Sequence, residues 1–518
     1  MTWRSFAIVF KTLETAGAFG RAFLHNESAA VQRSFLVVAG IVGVLLASSP
    51  SGVGVAYAQP RNGDWSPPSM LLRIESSDPV REPLVLAGRN GTVHAFWVWQ
   101  APGMAGSGAD QRLLDHALWD GKSWKGPVDI VATSMVRLSG AAVDASGNLH
   151  LLWQGPDNTL NYMRSRSPDS VSARDWTSPL PLAQAYPRGQ IIVDPKGRLH
   201  AIYSRLDGRG VYHQVSGDGG KSWSYPAPVA ATAEPNTVAD WVRLAVGADG
   251  VLHVVWTEFG LPDGWPPERI RYSRSANGGT SWTPPVELAG WGYDQGEIAV
   301  VGSSMVHVAW NGMAGVGGRY HRWSENGGNR WSGTTMVVPG GGTEGPPQLA
   351  VDSAGILHLL TTAGGRVWYS SWRREQGWAT PEYVRTGDEE GIPPLDVGVD
   401  YETRHIEEVS MAIEGGNLLH ALFWDRRVQK GITYVWYVTR PTGAPAVALI
   451  GKEATATPTA MPTSPTPSAP FSTQTPPLAF EAVENEGLAT FRTTMLASVW
   501  WTAILVGGFV VVMLLRNR

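Results

Sequence analysis

An all-β fold, a ring of seven four-stranded antiparallel blades, is predicted for this chain by three observations. A histidine recurs once per repeat, at His94, His150, His200, His253, His307, His358 and His420, with spacings of 50 to 62 residues. A period near 50 residues with about four strands in each repeat marks a β-propeller. A glycine-rich hairpin recurs between the histidines, most fully at Arg271–Pro285 (RYSRSANGGTSWTPP), again at Ser216–Trp223 (SGDGGKSW) and Ser324–Trp331 (SENGGNRW), and in short form at Trp119–Trp124 (WDGKSW). The composition is the third observation: 24 tryptophans and 60 glycines among 518 residues describe a turn-rich β body. Six blades is the alternative count.

Taken in order, the chain opens with an apolar run at 35–47 behind Arg33, ending in small residues up to Ala58. Residues 1–58 therefore read as a signal peptide with a long charged lead-in, and an uncleaved signal anchor is the alternative. The propeller body is expected over 59–440. Each repeat begins with a two-stranded turn such as Asp144–Trp153 (DASGNLHLLW) or Asp194–Tyr203 (DPKGRLHAIY) and places its histidine in the second strand. In the Arg271–Pro285 hairpin, Asn277, Gly278 and Gly279 supply a capped turn with positive φ. Trp124, Trp176, Trp223, Trp282, Trp331 and Trp378 close six repeats, which leaves one repeat without its tryptophan. The missing strand lies at the start of the body, where Asp64–Leu71 (DWSPPSML) matches Ser281–Leu288 (SWTPPVEL) and Trp65 takes the place of Trp282. The N-terminal strand is thus expected to complete the last blade beside Thr433–Val438, so that no long edge is left unpaired.

After the body, 441–495 is rich in proline, threonine and serine, densest over Glu453–Pro477, and reads as an extended stalk. Residues 496–515 are uncharged and long enough to cross a bilayer as one helix, with Trp500 and Trp501 at the outer interface. Arg516 and Arg518 then mark a short cytoplasmic tail, 516–518. The expected location is the cell membrane, with a single span and the body outside. There is no cysteine, so neither disulfides nor thiol chemistry enters. A net charge of −4 argues against a nucleic-acid surface. No cofactor and no metal site is expected, because symmetry spreads the seven histidines around a ring instead of gathering them at one point. Each histidine is expected to bond a neighbouring backbone group, and Asp388–Glu390 is read as a solvated acidic run.

The repeated hairpin pattern, Ser-x-Asp/Asn-x-Gly-x-Ser/Thr-Trp, resembles the Asp-box (BNR) repeat of the sialidase superfamily. That resemblance implies a structural role for Asp218, Asn277 and Asn326, on outer hairpins away from the substrate face. Arg81–Phe96 (REPLVLAGRNGTVHAF) resembles the start of sialidase domains, with Glu82 in the place of isoleucine. It implies that Arg81 is one of three arginines gripping a substrate carboxylate through paired bonds. It also implies Asp110, in the glycine-rich loop Gln100–Asp115, as general acid/base. Arg188, Arg243 and Arg426 are the candidate further clamps. Tyr401 and Glu258 are the candidate nucleophile and its activating base. Enzymes of that family have six blades, where seven are counted here. Trp241, Trp265, Trp291 and Tyr293 fall near blade entrances or in loops, where rings can stack on sugars. The reading taken is a cell-surface, membrane-anchored propeller that binds an extracellular glycan or glycoprotein through its loop face. The alternative is an exo-acting glycoside hydrolase of the sialidase type.

Overall fold

A computed structural model describes residues 65–449 apart from short internal segments, the longest being 102–110 and 385–403. Among the described residues no helix is long and apolar enough to cross a membrane. The signal segment, the membrane span and the stalk beyond residue 449 lie outside the described residues; residues 441–449, expected as the start of the stalk, are described, and the Thr442 and Val447 amides donate to the Asn417 and Gly415 carbonyls.

The body is a seven-bladed propeller of antiparallel sheets; six are drawn in sequence order from the centre outward, and the seventh takes its outermost strand from the start of the body. The innermost strands are Arg81–Ala87, Arg137–Val143, Gln190–Val193, Thr237–Val246, Tyr293–Val301, Gln348–Val351 and Val409–Glu414, for blades 1 to 7. Two blades carry a divided strand: the outermost of blade 6 (Gly377–Trp378 and Glu382–Val384) and the innermost of blade 7 (Arg404–His405 before Val409–Glu414). The ring closes as the sequence led us to expect. Ser69–Glu75 pairs antiparallel with Ile432–Pro441, Ser69 facing Tyr437 and Glu75 facing Ile432. Just before that ladder, the Ser66 amide donates to the Thr439 carbonyl at 2.8 Å, and the Thr439 amide donates to Ser66 Oγ at 2.9 Å.

The seven histidines build the contacts between blades. Each Nδ1 meets a third-strand side chain of its own blade, not a backbone group as the sequence suggested. The partners are His116 for His94, Tyr162 for His150, His213 for His200 and Tyr272 for His253, all between 2.7 and 3.1 Å. They continue as His321 for His307, Tyr369 for His358 and Tyr437 for His420, between 2.6 and 3.0 Å. That third-strand ring then receives the closing tryptophan of the next blade, near-perpendicular and 4.9–5.9 Å between centroids: Trp176 on His116, Trp223 on Tyr162, Trp282 on His213, Trp331 on Tyr272, Trp378 on His321. Trp65 on Tyr369 and Trp124 on Tyr437 complete the circle. Edge-to-face packing of this kind adds about 0.5–1.5 kcal/mol to simple burial. Some histidines are also held from behind, where the aspartate that caps their own first turn comes within 3.2–3.4 Å of Nε2: Asp144, Asp194 and Asp352.

The glycine-rich hairpins dock on the same rings. In Ser216–Trp223, Asp218 accepts from the Ser222 amide and Ser216 Oγ accepts from the Gly220 amide, so the turn is pinned from both sides. Gly220 has φ +82°, and a Cβ there would lie 1.7 Å from the Tyr162 hydroxyl. Gly279 against His213 and Gly328 against Tyr272 repeat this. Gly220→Ala should therefore lower unfolding free energy by about 3 kcal/mol or more. Gly217→Ala, whose Cβ meets nothing within 4 Å, should stay within about 0.5 kcal/mol. Urea titration of both variants checks the pair.

Burial favours the neutral form of nine of these histidines. It lowers the pKa of His94, His253 and His307 to about 4, and of His213 to about 3. It also lowers those of His116, His150, His200, His321 and His358. The unfolded chain takes up protons near pH 6.5 that the folded chain refuses, so stability is lost as pH falls below that value. Each of the first three should contribute up to about 1.36 kcal/mol per pH unit, down to about pH 4. The expected outcome is a thermal midpoint that drops steadily from pH 7 to pH 5.

Candidate functional site

Counting back twelve residues from each repeated histidine gives Glu82, Leu138, Arg188, Trp241, Gln295, Pro346 and Glu408, one per blade. This position lies within four residues of the start of each inner strand. Four inner strands carry a register shift there, between Arg81 and Leu84, Leu138 and Gly140, Asp240 and Arg243, and Asp294 and Glu297. Glu82, Trp241 and Gln295 have φ of 56°, 51° and 57°, a conformation that non-glycine residues rarely adopt. Bulges at a strand end redirect side chains, and strain of this type persists where the surroundings over-determine it.

Six of these seven positions line one cavity of about 420 Å³ on the ring axis, which follows the inner strand of blade 1 from Arg81 to Ala87. Arg81, Arg137, Arg188 and Arg243, from blades 1 to 4, all line it. Arg137 bonds Glu82 at 3.2 Å, Arg188 bonds Asp240 at 2.7 Å, and Arg243 bonds Glu297 at 3.2 Å. Arg188 also stacks 4.2 Å above the Trp241 ring, with Arg243 at 5.8 Å. Arg81 is exposed and has no ion-pair partner among the described residues.

Glu82 links three blades. Its amide donates to Glu408 Oε2 of blade 7 at 2.6 Å, while its carboxylate accepts from the Leu138 amide at 2.6 Å and from Arg137 in blade 2. Burial raises its pKa to about 7; Arg137 opposes the shift and the Glu408 carboxylate adds to it. Burial likewise raises Asp294 to about 7 and pushes Glu297 upward.

The sequence candidates fall in three groups. Arg81, Arg188, Arg243 and Trp241 meet at this cavity. Glu258 and Arg426 do not line it. Each lies inside a second strand, Leu252–Gly260 and Leu418–Arg427 respectively. Glu258 is fully buried, accepts from the Trp256 indole at 3.2 Å and lies 3.7 Å from both Arg269 and Arg271. Asp110, Tyr401 and Asp388–Glu390 lie outside the described residues. Tyr293 opens the inner strand of blade 5, at a blade entrance, and packs inward on Tyr320 at 5.1 Å. Sequence reasoning missed Arg137 and Glu82. Both could have been found by repeat phase, since Arg137 stands thirteen residues before His150 as Arg81 does before His94.

No protein-family model and no curated protein matches this chain. Solved structures with a similar chain path include a protein of unknown function from Dyadobacter fermentans, at 12% identity and TM-score 0.46, covering 72% of this chain and 99% of that one. A polysaccharide lyase family 25 ulvan lyase is similar at 14% identity and TM-score 0.47, covering 70% and 95%. The NanB sialidase of Streptococcus pneumoniae is similar at 11% identity and TM-score 0.41, covering 73% and 71%.

Glu82 gives a pH test with a sign opposite to that of the histidines. Between about pH 4.5 and 7 the folded chain holds a proton that the unfolded chain releases, so this group costs stability as pH rises through that window. Glu82→Gln keeps an acceptor for the Leu138 amide and removes the ionisation. Relative to wild type, the variant should gain stability steadily from pH 5 to pH 7.5, as read from urea midpoints.

Proposed function

We propose that this chain is a glycan-recognising propeller that captures an acidic sugar at the central cavity and is displayed outside the cell on a stalk and membrane anchor. The observation that carries the reading is the convergence of Arg81, Arg137, Arg188 and Arg243, from four consecutive blades, on one cavity beside the flat face of Trp241. A guanidinium matches a carboxylate or sulfate through paired donors, and an indole offers an apolar plane to a sugar ring. Arg137, Arg188 and Arg243 are held in place by carboxylates, which leaves Arg81 as the cation whose charge a ligand would meet first. Placement of the body fits display. The first residues of the stalk segment meet the far end of the blade 7 inner strand, where the Val447 amide donates to the Gly415 carbonyl at 2.7 Å, opposite the arginine end.

A second reading, an exo-acting glycoside hydrolase of the sialidase type, is favoured by Glu82, a cavity carboxyl that keeps its proton up to about pH 7. Such a group is poised for general acid–base work.

One experiment weighs both. Full-length protein in detergent is applied to an array of neutral, uronate, sialylated and sulfated glycans. Acidic glycans should bind and neutral ones should not, with Arg81→Ala and Arg188→Ala each weakening binding roughly tenfold or more. Binding that ignores both substitutions would sink the cavity as the site. Release of fluorophore from a sialic-acid conjugate, lost in Glu82→Gln, would move the conclusion to hydrolysis.

A further inference from the structure

The geometry points to a second contact zone on the arginine face. We propose that exposed tryptophans over blades 4 and 5 hold the continuation of an acidic polysaccharide whose terminal sugar occupies the cavity. This rests on the cavity reading above and specifies its ligand as an extended chain.

Most of the chain's tryptophans with a described environment are buried or partly buried in the packing between blades, but Trp265 is 44% and Trp291 59% exposed. Trp265 sits between the second and third strands of blade 4, and Trp291 in the crossing from blade 4 to blade 5. Both belong to the end of the ring where the inner strands begin. Backbone bonds tie these loops into one rim. The Gly292 amide donates to the Pro267 carbonyl at 2.9 Å, the Gly264 amide to Gly260 at 2.7 Å, and the Leu261 amide to Asn236 at 2.7 Å. Asn236 leads into the strand that carries Trp241, and Trp291 stands six residues before Glu297, the blade 5 residue that lines the cavity. The two rings are therefore carried on a braced backbone that leads inward to Trp241 and its stacked arginine.

Large aromatic rings left in water on braced loops, beside a polar cavity, are characteristic of a binding surface. Charge complementarity selects the occupant. On the rim Glu268 and Arg269 pair at 3.1 Å and Glu234 and Glu287 are exposed, so the attraction for an anionic chain comes from Arg81 and Arg188 at the strip's inner end. Successive pyranose faces can lie on the indoles while their carboxylates or sulfates point away from the rings.

The test uses full-length protein in detergent and two-unit and eight-unit oligosaccharides of three acidic series: oligogalacturonides, chondroitin sulfate and oligosialic acid. In each series that the wild type binds, Trp291→Ala and Trp265→Ala should each weaken the eight-unit ligand on the order of tenfold and leave the two-unit ligand within about twofold. Trp291→Phe should restore most of the loss. Arg81→Ala should weaken both lengths alike. If the tryptophan variants lose nothing, or lose equally at both lengths, the strip is not a chain-binding track. A wild-type dimer in sedimentation that these substitutions convert to monomer would make the patch a self-interface and overturn the proposal. If no acidic series binds, or Arg81→Ala and Arg188→Ala bind as the wild type does, the cavity reading fails and the strip with it. If those arginine variants lose binding while the tryptophan variants do not, only the strip fails.

Discussion

The structure depends on one contact made seven times: the edge of a tryptophan set against a third-strand tyrosine or histidine, which a histidine of the second strand holds in place. Each sheet of a propeller must bury both faces against its neighbours, and a twisted sheet offers little beyond side-chain interdigitation to set the angle between them. Here the angle is set by a polar anchor inside an apolar interface. The histidine ring cannot turn away without leaving a buried nitrogen unbonded, so the tyrosine or histidine above it is fixed, and the next blade docks on a rigid plane. The hairpin glycines share that plane, because only a residue without Cβ lets the turn sit against the Tyr162, His213 or Tyr272 ring.

A ring locked at its periphery leaves its axis free to vary. On the axis, the repeat that is so regular outside breaks down into arginines on blades 1 to 4 and carboxylates at Glu82, Asp240, Glu297 and Glu408. The strained bulges at Glu82 and Trp241 belong to this layer. They are held by bonds that cross from blade to blade, as when Glu82 receives the Leu138 amide and donates its own amide to Glu408. The outer contacts thus supply the rigidity that lets the inner layer keep buried carboxyl groups and stacked guanidinium groups in fixed positions.

Much of the fold was legible in the sequence because propeller repeats are local. Each hairpin, turn aspartate and histidine acts within about fifty residues, so the period survives as a pattern and the blade count follows. Closure by Trp65 could be read as well, since one repeat lacked its tryptophan and one unmatched copy stood at the start. The anchors' partners could not. His94 bonds a ring 22 residues on, but His358 bonds one only 11 on. That offset depends on the length of the loop between the second and third strands, which the repeat does not constrain. The same holds for Tyr293, which stands at a blade entrance as expected but packs inward on Trp310 and Tyr320, contacts that only the sheet register sets.

Taken alone, the sequence determined the ring, its number of blades, where it is sealed and which residues recur, because these follow from periodicity and turn chemistry along the chain. Only the tertiary structure decided which exceptions to the repeat stand together. Arg81 and Arg243 are separated by three blades in the chain but share one cavity, whereas Glu258, equally polar in the sequence, is sealed inside a sheet by Arg269 and Arg271. The physical reason is closure itself. Bending seven sheets around an axis brings the start of every inner strand to one place, and no linear spacing records how close they come.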